Sequence, residues 1–192
     1  MKPKKELSHP IHPLLEKRWS PRAFKPKSIG QENVDQLLEA ARWSPSAFNE
    51  QPWHFIYAEQ GNADAFKNVH ECLNEGNRSW TANASLLIIT FAKNFYERNG
   101  KANAHATHDL GGAAANLTLQ ALELDLYVHQ MAGIDKKAIL EKFDIPDGWE
   151  PMTMIAVGYL GDVSTLDERQ AASEFAEQKR KSIEEIASLN KW

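Results

Sequence analysis

A stripe of apolar residues predicts an amphipathic helix within residues 28–43 of this chain. The apolar positions recur at i, i+3, i+4 and i+7, the spacing of a helix with one buried face. They are Val34, Leu37, Leu38 and Ala41. Ser28 and Gln31 have the spacing of a capping box, so we expect the helix to begin there and to end near Trp43.

Four apolar runs predict the strands of a sheet. Residues 54–58 and 126–130 are short runs rich in aromatic and β-branched side chains. Residues 85–92 and 152–160 are almost continuously apolar, which is typical of strands covered on both faces. Because these strands alternate with helical patterns and no linker or repeat interrupts them, we expect residues 1–192 to form one domain, a mixed α/β sandwich.

The longest predicted helix, residues 105–124, is apolar on nearly every side. It carries almost no charge between Leu110 and Gln120, and five small residues occupy positions 111–115. A helix of this kind must be buried on nearly all sides, and small residues let another backbone approach closely. A single domain of this size has little left to cover it, so the pattern favours a second subunit.

Composition restricts the classes of partner. The chain has 192 residues, 42% hydrophobic and 25% charged, with a formal net charge of −4, which argues against a nucleic-acid partner. Its one cysteine, Cys72, cannot form an internal disulfide. The first ten residues lack the apolar run of a secretory signal, and no segment has the length of a membrane span. We therefore expect a cytoplasmic protein without a membrane partner.

The connection between the second predicted helix and the first strand has unusual chemistry. It reads SPSAFNEQPWHF over residues 44–55, and two prolines stiffen it. Its hydrogen-bonding side chains are all neutral, namely Ser44, Ser46, Asn49 and Gln51. A stiff loop of this kind suits a planar ligand with mixed donor and acceptor edges. The alternative is an ordinary rigid turn, because serine, asparagine and proline are common in turns.

Two arginines stand four positions apart on a bent segment near the start of the chain. A short helix is predicted over residues 12–18, with both of its leucines facing inward, and Pro21 ends it. Arg18 and Arg22 flank this bend. Guanidinium groups are planar forks of donors that suit phosphate and carboxylate. The alternative is a pair of solvated surface arginines.

Residues 93–104 form a polar excursion between two apolar segments. It contains Phe95 and Tyr96, which we expect to be exposed, and it could serve as a lid over a ligand or be an ordinary loop.

Motifs for other chemistries are missing from the sequence. There is no GxGxxG after a strand, no GxxxxGK[ST] and no GxSxG. His105, His108 and Asp109 lie within about one helical turn, but their spacing differs from that of HExxH, so we expect no metal site.

Five segments then carry a family resemblance in a single register. They are RWSPRAF at 18–24, SPSAFNEQPWHF at 44–55, HDLGGAAANLTLQALELDLYVHQMAGI at 108–134, MIAVGYLGD at 154–162 and RKSIEEIA at 180–187. Together they resemble the nitroreductase family of FMN-dependent NAD(P)H oxidoreductases. The resemblance covers nearly the whole chain, and the first two motifs in combination are specific to that family.

The resemblance implies an α+β fold in which helices flank a central mixed sheet, and an intertwined homodimer with two FMN molecules at its interface. It further implies non-covalent FMN, NADH or NADPH as co-substrate, and a ping-pong mechanism that reduces nitroaromatic or quinone-type acceptors. Within the same fold, the alternatives are a flavin-fragmenting or dehalogenating enzyme and a flavin-binding or storage protein.

The resemblance also implies a set of cofactor-binding residues and no catalytic side chain. The segment 18–22 and Arg180 would hold the phosphate, ribityl and pyrimidine side of FMN. From the partner subunit would come Pro45, Ser46 and Asn49, with Gln51 nearby. Residues 131–133 would run along the flavin, where Ala132 replaces a glutamate common in relatives. The full set is Arg18, Trp19, Ser20, Arg22, Pro45, Ser46, Asn49, Gln51, Met131, Ala132, Gly133 and Arg180.

Overall fold

The computed structural model describes residues 5–192, in which helices cover both faces of one four-stranded sheet. The helices are α1 Pro13–Lys17, α2 Gln31–Arg42, α3 Ala63–His70, α4 Glu75–Thr81, α5 Ala106–Glu123, α6 Lys136–Lys142, α7 Glu168–Phe175 and α8 Ile183–Ile186. The strands are β1 Trp53–Glu59, β2 Leu86–Lys93, β3 Tyr127–Met131 and β4 Trp149–Gly158. Short 3₁₀ turns lie at Ala47–Asn49 and Val163–Thr165. This architecture confirms the α+β class.

The sheet has the order β1-β2-β4-β3, and each neighbouring pair is antiparallel. The expectation of a mixed sheet is therefore wrong for the four described strands. The physical reason lies in the connection through α5, which joins β2 to β3 so that the two strands run in the same direction. Because β4 inserts between them, no two parallel strands are adjacent.

Strand β2 separates two hydrophobic cores, as its continuous apolar sequence predicts. Successive side chains of a strand point to opposite faces. Leu87, Ile89 and Phe91 pack with α3, α4 and α6, whereas Leu86 and Ile88 pack with α2 and α5. Both faces of this strand are consequently buried, and the sheet provides a rigid support for the loops at its ends.

Helix α5 is buried on one side and open on the other in the single chain. Ala113, Ala114 and Leu117 face the core, but Gly111, Gly112 and Ala115 are exposed. The expected burial on nearly all sides therefore requires something beyond this chain. Two leucines of α1 are also incompletely covered. Leu14 is half-buried, and Leu15 is 43% exposed. The expectation that both leucines face inward is wrong for Leu15, since no helix or strand within residues 5–192 covers it.

The capping box expected at Ser28 and Gln31 is wrong. Helix α2 begins after Gly30, whose φ of 78° is in the left-handed region that favours glycine, and no side chain caps it. The Ser28 hydroxyl instead accepts a hydrogen bond from the backbone N–H of Gly30, at 3.2 Å. A local turn therefore occupies the side chain that the spacing assigned to the helix.

The excursion at residues 93–104 is folded back on itself. The Tyr96 N–H donates to the carbonyl of Lys101 at 2.8 Å, and Phe95 forms an isolated antiparallel bridge with Ala102. Phe95 is exposed as expected, but Tyr96 is buried and contacts the ring of Phe48 edge-on. The segment thus packs on the loop that precedes β1.

Within residues 5–192, no helix is long and apolar enough to cross a membrane. The same part of the chain contains no group of three or more side chains that could hold a metal ion.

Candidate functional site

Residues 18–22, which follow α1, form a strap that lies against the C-terminal end of α5 and against β3. The ammonium of Lys17, the last residue of α1, donates to the carbonyl of Leu122 at 2.7 Å. That carbonyl lies in the last turn of α5 and also accepts a longer hydrogen bond of 3.3 Å from the Asp125 N–H. Trp19 is buried and packs edge-on against the ring of Tyr127, with centroids 6.3 Å apart. The His129 ring nitrogen Nδ1 lies 2.9 Å from the carbonyl of Pro21. These contacts fix the backbone that carries Arg18, Ser20 and Arg22.

Arg18 and Arg180 line one cleft of about 230 Å³ beside this strap. Burial, and next the neighbouring Arg180 cation, lower the pKa of the Arg18 guanidinium. Neither arginine forms an ion pair with a carboxylate in the described part of the chain, although Glu6 also lines the cleft. Two guanidinium groups brought close together at an electrostatic cost could hold an anion, and their geometry matches that of phosphate oxygens.

Three buried polar atoms around the strap lack a hydrogen-bond partner among the described residues. They are Nε1 of Trp19, Oε2 of Glu174 and Oε1 of Gln178. Buried polar atoms are nearly always hydrogen-bonded in native proteins, so each unpaired atom requires an explanation. A polar ligand between the strap and the segment 174–178 could supply the missing partners.

The exit of β3 forms a second wall next to the strap. Met131 is buried, Ala132 is exposed, and the Gly133 carbonyl accepts from the Asn74 N–H and from the Asn77 carboxamide, each at 3.1 Å. A Cβ at position 133 would lie 2.3 Å from Nδ2 of Asn74, so a larger residue there would displace the Asn74 side chain from this wall. Sequence reasoning did not include Asn74 and Asn77. The signal that could have found them is the polar run NEGN after an apolar helix stripe.

Arg22 lines a polar cleft of about 460 Å³ between α4 and α7. Its guanidinium lies 3.9 Å from Oε1 of Glu174, and its distance of 6.0 Å from the centroid of the Trp80 ring is at the outer limit of a cation–π contact. The Arg22 side chain remains 31% exposed toward the cleft. The cation is therefore held by the protein on one side and accessible to a ligand on the other.

The loop 45–51 has a strained backbone that several contacts hold in place. Phe48, Asn49 and Gln51 all have φ between 51° and 58°, a region that residues other than glycine seldom adopt. The Asp109 carboxylate accepts from the Ala47 N–H at 3.0 Å, and the Ser46 hydroxyl accepts from the Gln51 N–H at 2.9 Å. The loop therefore presents its neutral side chains in one conformation. Pro45, Asn49 and Gln51 are exposed.

The two groups of predicted site residues lie at opposite ends of α5. The strap is tied to Leu122 near the end of the helix, whereas the loop is tied to Asp109 in its first turn. At 1.5 Å per residue, these two positions are about 20 Å apart along the axis. One chain thus places the strap and Arg180 at one end of α5 and the loop 45–51 at the other, and does not join them. Strand β3 runs back along the helix, where the Gln130 carboxamide donates to the Thr118 hydroxyl at 3.4 Å, so 131–133 lie between the two ends.

Replacing Asp109 by alanine tests how the loop is held. Asp109 is 5% exposed, and its loss leaves the Ala47 N–H without its acceptor. We expect a loss of about 1–3 kcal/mol in the free energy of unfolding, measured by urea denaturation. Asp109→Asn is the matched control, because its side-chain oxygen can still accept; equal losses in both variants would assign the effect to charge and not to this hydrogen bond.

Known proteins resemble this chain in sequence and in fold. The sequence profile of the Nitroreductase family matches residues 15–159. A solved structure described as "The crystal structure of the oxidoreductase containing FMN" is 36% identical with a TM-score of 0.93, over 98% of this chain and 96% of that one. An uncharacterized 15.4 kDa protein of Mycolicibacterium smegmatis is 32% identical over 72% of this chain and 96% of its own length. The putative NADH dehydrogenase/NAD(P)H nitroreductase of Archaeoglobus fulgidus is 27% identical over 78% and 84%, respectively. The resemblance seen in the sequence motifs is confirmed: this chain belongs to the nitroreductase family.

Proposed function

We propose that the protein is an FMN-dependent oxidoreductase that uses NAD(P)H to reduce nitroaromatic or quinone-type acceptors by a ping-pong mechanism. The observation that carries the proposal is the paired Arg18 and Arg180 in one cleft, with the unpartnered indole N–H of Trp19 beside it. A cofactor that ends in a phosphate fits this arrangement. The similar solved structure whose description names FMN supports the choice of cofactor.

Each group of site residues then has a role in binding. Arg18 and Arg180 would hold the phosphate, and Trp19 and Ser20 would contact the ribityl chain. Arg22 would bind the pyrimidine side, and 131–133 would run along the flavin. When bound, FMN accepts a hydride from NAD(P)H and passes the electrons to the acceptor, while the protein orients both and excludes competing reactions. No side chain need act as acid or base.

The active protein is a homodimer in this proposal. The loop 45–51 lies about 20 Å from the strap of its own chain along α5, so a second copy must supply it to complete a site. A twofold axis across the exposed face of α5 would bring opposite ends of two such helices together. Pro45, Ser46, Asn49 and Gln51 of the second copy would then read the ring edge with neutral groups. The exposed residues Gly111, Gly112 and Ala115 provide the close-packing surface that this requires.

An anaerobic reduction experiment tests the function. Acid precipitation of the purified protein should release FMN into the supernatant, because binding is non-covalent. NADH or NADPH should bleach the bound flavin, and a nitroaromatic or a quinone should then restore its absorbance. Flavin that is not bleached would indicate a storage protein, and absorbance that never returns would indicate destruction of the flavin. Either result would overturn the proposed reaction.

A further inference from the structure

The buried carboxylate of Glu174 contacts Arg22. Helix α7 places Glu174 against the strap, where the residue is only 1% exposed. Its Oε1 accepts a hydrogen bond from the backbone N–H of Arg22 at 3.0 Å and lies 3.9 Å from the guanidinium of the same residue. Its Oε2 is buried without a partner among the described residues. Acidic side chains are almost never buried this completely without a specific role or a full set of partners.

Among the buried neighbours of Arg22, Glu174 is the one that can carry a charge at pH 7. Within residues 5–192 it forms the only ion pair of Arg22. On β3, burial lowers the pKa of His129 to about 4, so that ring is neutral at pH 7, and on α4 the neighbour is the uncharged Trp80 ring. The other charged groups that line the cleft are Glu75, Asp167 and Arg169, which are exposed and therefore screened by solvent.

We propose that Glu174 is a positioning residue that partly neutralises Arg22 and thereby lowers the reduction potential of the cofactor bound beside it. This inference rests on the proposed function. Reduction places additional negative charge on the cofactor, and Arg22 favours that charge whereas the Glu174 carboxylate opposes it. Both groups act through a partly buried region, where charges interact more strongly than in water. Glu174 therefore makes the bound cofactor a stronger electron donor toward the acceptor.

The test is the reduction potential of Glu174→Gln compared with that of the wild type, measured on the flavin-loaded proteins. Glutamine keeps an oxygen for the Arg22 N–H and removes only the charge. We expect the potential to rise, with the equilibrium between oxidised and reduced protein shifted about tenfold, or about 30 mV for a two-electron couple. Glu168→Gln, an exposed position on the same helix, is the matched control and should leave the potential unchanged.

The pH dependence sharpens this test. Burial raises the pKa of the Glu174 carboxyl above its ordinary value, with the hydrogen bond from the Arg22 N–H acting in the opposite direction. Above that pKa the wild type carries the charge and differs from Glu174→Gln. Below it the protonated carboxyl is neutral, as glutamine is, so the two potentials should converge as the pH falls.

Each outcome has a distinct meaning. A wild-type protein that retains no flavin overturns the proposed function itself. A loaded wild type whose potential equals that of Glu174→Gln at every pH overturns this inference alone. If Glu174→Gln does not fold, carbon-13 NMR of the Glu174 carboxyl in the wild type decides the question. Coupling between two sites is reciprocal, so reduction must raise the Glu174 pKa by about one unit, and an unchanged pKa would reject the proposal.

Discussion

Arg18→Ala is expected to fold and to purify almost without FMN. Removing one partner from a charge-assisted contact of this kind commonly costs about 2–5 kcal/mol, which corresponds to a loss of affinity of about 30-fold to several thousand-fold. The Arg18 guanidinium contributes little to the stability of the fold itself. The contacts of the Arg18 guanidinium within the described residues are one hydrogen bond of 3.3 Å to Ser20 and repulsion from Arg180. The flavin-free variant should therefore unfold at nearly the same urea concentration as the flavin-free wild type.

Titration of the flavin-free proteins with FMN, followed by flavin fluorescence, measures the affinity directly. Lys137→Ala is the matched control, because it removes a cation whose side chain is 85% exposed on α6, on a different helix from the site. It should bind FMN as the wild type does. Arg18→Ala with full FMN occupancy after purification would remove this residue from the site.

Ala115→Arg is expected to separate the dimer and to release the flavin in the same step. Ala115 is exposed on the open face of α5, in line with Gly111 and Gly112, so a large cation there should block close packing of a second copy. Its neighbour Ala114 is 4% exposed and packs in the core of its own chain, so a substitution at Ala114 would test subunit stability instead.

Light scattering with in-line absorbance reports mass and bound flavin together. Ala63→Arg is the matched control, because it introduces the same charge at an exposed position of α3. This control should remain a yellow dimer. A stable Ala115→Arg monomer that keeps FMN tightly bound would contradict both the dimer interface and the shared site.

Local patterns in the sequence were sufficient to predict the elements that form the core. The continuous apolar run of β2 predicted a strand buried on both faces, and the structure confirms it, because side-chain alternation is a property of the strand itself. The stripe of α2 predicted a helix for the same reason, although its start was wrong. The motifs around Arg18 and in the loop 44–55 identified the family because they combine unusual residues at fixed positions.

Contacts between segments distant in the chain were decided only by the tertiary structure. The order of the strands depends on β4 inserting between β2 and β3, which no local pattern encodes. Asn74 and Asn77 reach the Gly133 carbonyl across more than fifty positions of sequence, and Glu174 reaches Arg22 across 152. In the sequence, Glu174 is one acidic residue in a charged, helix-prone tail. Its burial against Arg22 results from the docking of α7 on the strap. The separation of the strap from the loop 45–51 results from the length of α5. Periodicity determines which face of an element is buried, whereas the site depends on which elements meet.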